Sequence, residues 1–85
     1  MTITLEKIKE MNIPVGTPIE IIPKNPLRDT REGYFQGVFR EKPLPKGWLV
    51  YSNKKLKSKI NIKVDPFTRE GIILLYIPYI KEIKY

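Results

Sequence analysis

The 85-residue sequence predicts a mainly β fold, a small antiparallel barrel of five or six strands behind a short N-terminal helix. Three observations predict it. Eight Pro and five Gly divide the chain into pieces of strand length. Those pieces are rich in Ile, Val, Tyr and Phe, which suit a pleated, half-buried surface. Strands this short and this closely spaced are best protected by closure, which removes sheet edges. With 41% hydrophobic residues the chain can fill one core, and at this length not two. One domain is expected over residues 1–85, with residues 1–13 as the helical lead and residues 18–85 as the barrel.

The helix comes first. Leu5, Ile8 and Met11 recur at helical spacing, Thr4 is placed to cap the N-terminus, Glu6 lies in the first turn, and Asn12 with Pro14 ends the pattern. Between Pro18 and Pro23, Ile19–Ile22 reads as a brief strand, and residues 25–33 as a polar loop of turn formers. Tyr34-Phe-Gln-Gly-Val-Phe-Arg40 is a second strand whose central Gly37 marks a bend or a close approach of another segment. A turn is expected over Pro43–Gly47, then a third strand over Trp48–Ser52.

Alternation in Ile60-Asn-Ile-Lys-Val64 predicts a half-buried strand with Ile60, Ile62 and Val64 on one face. Asp65–Gly71 follows as a hairpin loop, with Phe67 either folded onto the barrel or exposed as an interaction knob, the former preferred, and the apolar run Ile72–Ile77 as a central strand. Pro78-Tyr79 breaks that run, and Ile80–Tyr85 makes a short last strand. The expected core is Ile19, Ile21, Phe39, Ile60, Ile62, Val64, Ile73, Leu75 and Ile77, with Leu5 and Ile8 closing one end.

Composition closes many routes to catalysis. There is no Cys and no His, so disulfide frameworks, zinc fingers, thiol nucleophiles and His-dependent acid–base mechanisms are excluded. No Gly-rich phosphate cradle, nucleophile elbow or metal-ligand spacing is present, and no cofactor is implied. Glu6 and Glu10, one helical turn apart, read as solvated charge rather than a metal site, and Asp29–Glu32 as turn chemistry. The longest apolar run, Gly71–Ile77, is far short of the roughly 18 to 20 residues of a membrane span. With an acid in the first apolar stretch and no small-residue cleavage site, the start does not read as a signal peptide, so a cytoplasmic location is expected. Absence of Ala, with heavy use of Ile, Lys, Glu and Pro, matches the composition of heat-adapted, archaeal-like proteins.

The order of helix, Ile19–Ile22, Phe35-Gln-Gly-Val-Phe39, a long apolar strand and Ile77-Pro-Tyr-Ile-Lys-Glu-Ile83 resembles the Sm-like small barrels. In that family a bent strand carries an aromatic-x-Gly-x-aliphatic pattern, and a Pro-initiated turn joins the last two strands. The resemblance implies a barrel that binds RNA, usually as a ring. Two motifs depart from it: Glu41-Lys-Pro-Leu-Pro-Lys-Gly-Trp48 stands where the family has its Asp-x-x-x-Asn uridine pocket, and the Arg-Gly of its second motif is missing. The family's base pocket is therefore not carried over. An oligonucleotide-binding barrel or another small barrel fits the strand count nearly as well.

Charge is the strongest functional signal. Of 16 Lys plus Arg, seven are lysines in one acid-free window: Lys42, Lys46, Lys54, Lys55, Lys57, Lys59 and Lys63. The remaining nine bases cancel nine acids, so the net +7 resides in that window. Trp48 and Tyr51 lie within it and Tyr34 on the adjacent strand, so ammonium groups for phosphates and rings for unpaired bases are expected on one surface. The structural alternative is a solubilising lysine edge over a core Trp48 and Tyr51.

The expected function is non-catalytic nucleic-acid binding, RNA before DNA, with homo-oligomerisation possible and no membrane partner. Two alternatives stand beside it. One is a His-free ribonuclease of toxin type using Arg40, Lys63, Arg69 and Tyr79; the other is a protein-interaction barrel with exposed apolar strands.

Overall fold

The computed structural model describes residues 2–85. Its first element, α1 (Leu5–Glu10), is capped as its sequence dictates: the Thr4 hydroxyl accepts from the Lys7 amide at 3.1 Å. Asn12, in the left-handed region at φ 53°, ends it. Leu5 and Ile8 face inward and are buried.

Five strands follow: β1 (Pro18–Pro23), β2 (Arg31–Glu41), β3 (Leu44–Ser52), β4 (Ile72–Tyr76) and β5 (Ile80–Lys84). They form one antiparallel sheet in the order β4-β3-β2-β1-β5. Ile77–Tyr79 makes a single 3-10 turn between the last two strands, with Pro78 inside it. The sheet is open, because β4 and β5 each have one hydrogen-bonded neighbour and do not pair with each other. The mainly β class with a short leading helix is as the sequence predicts, whereas the ladder stops short of closure.

Three elements differ from expectation. Ile60–Val64 is not a strand. Residues 53–71 leave the sheet as one excursion, containing only the four-residue helix α2 (Asp65–Thr68), and return where the Asn53 amide donates to the Gly71 carbonyl at 3.1 Å. Side-chain chemistry wins over alternation here. The Asn61 side-chain oxygen accepts from the Lys63 amide at 3.0 Å, the Asn61 carbonyl accepts from the Asp65 amide at 2.7 Å, and Asp65 Oδ2 accepts from the Asn61 amide. Val64 is consequently exposed, and Ile60 and Ile62 are half-buried.

Second, β4 is an edge strand. Its five apolar residues are all half-buried: Ile73 and Leu75 pack on the core side, while the excursion packs α2 against the strand. A continuous apolar run reports two covered faces, not a central place in the order. Third, two strands begin earlier than expected: β2 takes in Arg31–Gly33, which pair with β1 instead of closing the loop, and β3 takes in Leu44–Gly47, which confines the β2–β3 turn to Lys42 and Pro43.

The core lies on one face of the sheet beneath α1. Ile3, Leu5, Ile8, Ile13, Ile19, Ile21, Phe35, Leu49, Tyr51, Ile77, Ile80 and Ile83 form it. Burial of apolar surface at about 25 cal/mol per Å² makes this cluster the main stabilising element. Gly33 matters to it, since a Cβ there would run into the Tyr51 ring and the Ser52 carbonyl. Phe39, expected in this core, is half-buried on the opposite, outer face.

Candidate nucleic-acid interface

All seven lysines of the acid-free window are exposed, and among the described residues none of them forms an ion pair. They fall into two groups. Lys54, Lys55, Lys57, Lys59 and Lys63 line the excursion, while Lys42 and Lys46 lie at the β2–β3 hairpin end. The excursion is anchored from within: Arg69 donates to the Ser58 hydroxyl at 2.8 Å and lies 3.8 Å from Asp65. The acid nearest the lysine run is thereby engaged by an arginine of the same segment.

It is seated on the outer face of the sheet through Ile62, whose Cδ1 lies against the backbone of Gly37. Gly37 sits at the bulge between Phe35 and Val38 with φ +140°, so the bend and the close approach expected of it coincide. Opposite Gly37, Val50 is fully buried yet stands apart from the main core, which places it under the excursion.

The three rings singled out by the sequence do not come together. Tyr51 is 2% exposed, on the core face, where its hydroxyl accepts from Arg31 at 3.3 Å; it presents no ring face to a base. Trp48 is on the outer face, because residues three apart in a strand point to opposite sides. Tyr34 is paired with Ser52 and lines a groove of about 570 Å³ with Glu20, Glu32, Asn53, Lys84 and Tyr85. Two side-chain carboxylates against the single ammonium of Lys84 make that groove a poor place for phosphate.

Trp48 instead has other ring neighbours. Its centroid is 5.2 Å from that of Tyr76, and Tyr76 meets Tyr79 edge-on at 5.9 Å. Phe39 stands opposite Trp48 in the β2–β3 register and meets Phe67 of the excursion at 6.0 Å. Phe39, Tyr76 and Tyr79 are therefore candidate interface residues that sequence reasoning did not assign to binding, while Phe67, preferred on the barrel by its sequence, is 61% exposed because α2 presents it at the edge of Phe39. The one readable signal was the odd spacing of Trp48 and Tyr51; the rest depends on register.

Elsewhere, Gln36 and Ser52 make a buried hydrogen bond at 3.1 Å that satisfies both side chains. Among the described residues no helix is long and apolar enough to cross a membrane. No protein-family model matches the chain, and neither a characterised protein nor a solved structure does.

Proposed function

We propose that the chain is a non-catalytic module that binds single-stranded nucleic acid, RNA in preference to DNA, on its excursion and outer sheet face. One observation carries this reading: the entire net charge of +7 resides in seven exposed lysines without carboxylate partners among the described residues. Such ammonium groups displace condensed counterions from a phosphate backbone, and rings beside them offer stacking surfaces to unpaired bases.

The small-barrel relationship, Sm-like or oligonucleotide-binding, belongs to the same proposal. Its support is the leading helix, the bulged Phe35–Phe39 stretch, and the Pro78 turn between the last two strands. For the ribonuclease alternative, two of the cations it would need are already engaged: Arg40 with Glu6 at 2.6 Å, and Arg69 with Ser58 and Asp65. That favours binding without turnover.

A mixed-sequence RNA incubated with the protein tests both. Retention of intact RNA at low salt is expected; cleavage that survives repurification would establish the enzyme instead. A second reading has its own observation, the half-buried apolar edge β4 with one unpaired backbone side, which suits strand pairing with another copy. Light scattering separates the two, since an interaction module would self-associate and leave RNA unbound.

A further inference from the structure

We infer that a single strand of nucleic acid crosses the outer face along a row of five rings, Phe67, Phe39, Trp48, Tyr76 and Tyr79, with Phe67 and Tyr79 stacking on its bases. This rests on the nucleic-acid reading above and specifies where the strand runs and which rings hold it.

The row is built by the fold. Phe39, Trp48 and Tyr76 come from β2, β3 and β4 at one level of the sheet, joined by the Phe39–Trp48 and Trp48–Tyr76 pairings. Their half-burial makes them the floor. At one end Tyr79, on the 3-10 turn, stands against Tyr76 at an interplanar angle of 72°; at the other Phe67, in α2, stands against Phe39 at 81°. An edge-on ring leaves a face uncovered. Tyr79 is 65% exposed and Phe67 61%, unusual for rings already held by an aromatic neighbour. Holding them beforehand lowers the ordering cost of binding.

Charge decides the occupant. Phe67 is carried by the same excursion as Lys54, Lys55, Lys57, Lys59 and Lys63, so a base on Phe67 brings its backbone toward unpaired ammonium groups. An apolar peptide would use the rings and leave that charge unmatched. A duplex would use the charge and hide its base faces. Of these three occupants the unpaired strand alone uses both, and stacking there is tolerant of base identity.

The experiment is fluorescence anisotropy with end-labelled ten-nucleotide uridine RNA, a mixed-sequence RNA and a hairpin duplex, across a salt series. The wild type is compared with Tyr79→Leu, Tyr79→Phe and Phe67→Leu. Each Leu variant is expected to bind both single strands roughly 5- to 100-fold more weakly with an unchanged salt slope, while Tyr79→Phe retains affinity because the ring and not the hydroxyl is used. Trp48 emission should change on binding in the wild type. The two Leu substitutions lie on separate elements at exposed positions, so misfolding of one leaves the other to decide. Wild-type affinity in both Leu variants would overturn the ring row and leave nucleic-acid binding standing; equal binding of duplex and single strand would do the same. Absence of binding by the wild type at low salt would overturn both.

Discussion

Ile62 lays its Cδ1 on the backbone of Gly37, filling the space in which a side chain at that position would have to stand. Gly37 also has φ +140°, a conformation that L side chains rarely adopt. Gly37→Ala is therefore expected to destabilise the fold by about 1 to 3 kcal/mol in urea unfolding. Adding Ile62→Ala should recover the steric part of that loss and none of the backbone part, so the two substitutions combine non-additively. A Gly37→Ala variant as stable as the wild type would refute the contact's role.

Arg40 donates to Glu6 at 2.6 Å, tying β2 to α1, and this hydrogen bond is the chief cause that holds the Glu6 carboxyl below its ordinary range. A carboxyl lowered in the folded state stabilises above the ordinary glutamate pKa, about 4.3. That contribution is lost as pH falls through the lowered native value. Both side chains are more than half exposed, so the effect on stability is small. In an NMR titration Arg40→Gln should move the Glu6 midpoint upward, and the stability difference between variant and wild type should vanish in acid. An unmoved midpoint would contradict the assignment.

Clustered exposed lysines would make the proposed binding salt-dependent. If four or five of them meet phosphates on a single strand, log K against log salt should fall with a slope of roughly −3, at about −0.7 per phosphate. Replacing Lys54, Lys55, Lys57 and Lys59 with Gln should flatten that slope for every sequence alike. The thermal midpoint should barely change, since all four are exposed and unpaired among the described residues. Unchanged binding in this quadruple variant would sink the electrostatic assignment.

Asp65 closes the turn that opens α2, accepting from the Asn61 amide and lying 3.8 Å from Arg69. Asp65→Ala is expected to cost about 1 kcal/mol locally, so that amides of residues 61–69 exchange roughly fivefold faster. Amides of Ile21, Leu49 and Ile80, in the core, should keep their protection. Loss of protection throughout would show that the excursion and the core unfold as one unit.

Much of this fold can be read from local signals. Thr4, Leu5 and Ile8 announce α1, and the strand positions in Ile19–Ile22, Tyr34–Arg40, Trp48–Ser52 and Ile72–Tyr76 follow from β-branched and aromatic runs between Pro and Gly. The Ile60–Val64 alternation misleads because periodicity says nothing of competing side chains: Asn61 and Asp65 spend their oxygens on nearby amides and hold a turn instead. Lysine exposure at the candidate interface is equally legible, since no acid stands between Lys42 and Lys63 in the sequence. The aromatic row is not. Phe39, Trp48 and Tyr76 come to one level of the sheet through the β2–β3 register, which the Phe35–Gly37 bulge shifts, and the β3–β4 register, relations between distant segments.

The single hydrogen bond from Asn53 to Gly71 makes the excursion a detachable module in form, since both its ends rest on neighbouring rungs of one hairpin. In substance it is not detachable. The loop that carries the positive charge is also the roof over Gly37, Val50 and Phe39, so shortening it would uncover apolar sheet as it removed cations. Length variation in this loop is thus constrained from both directions at once. Sequence change is freer, because lysines can be exchanged one by one while Ile62 and Phe67 stay in place.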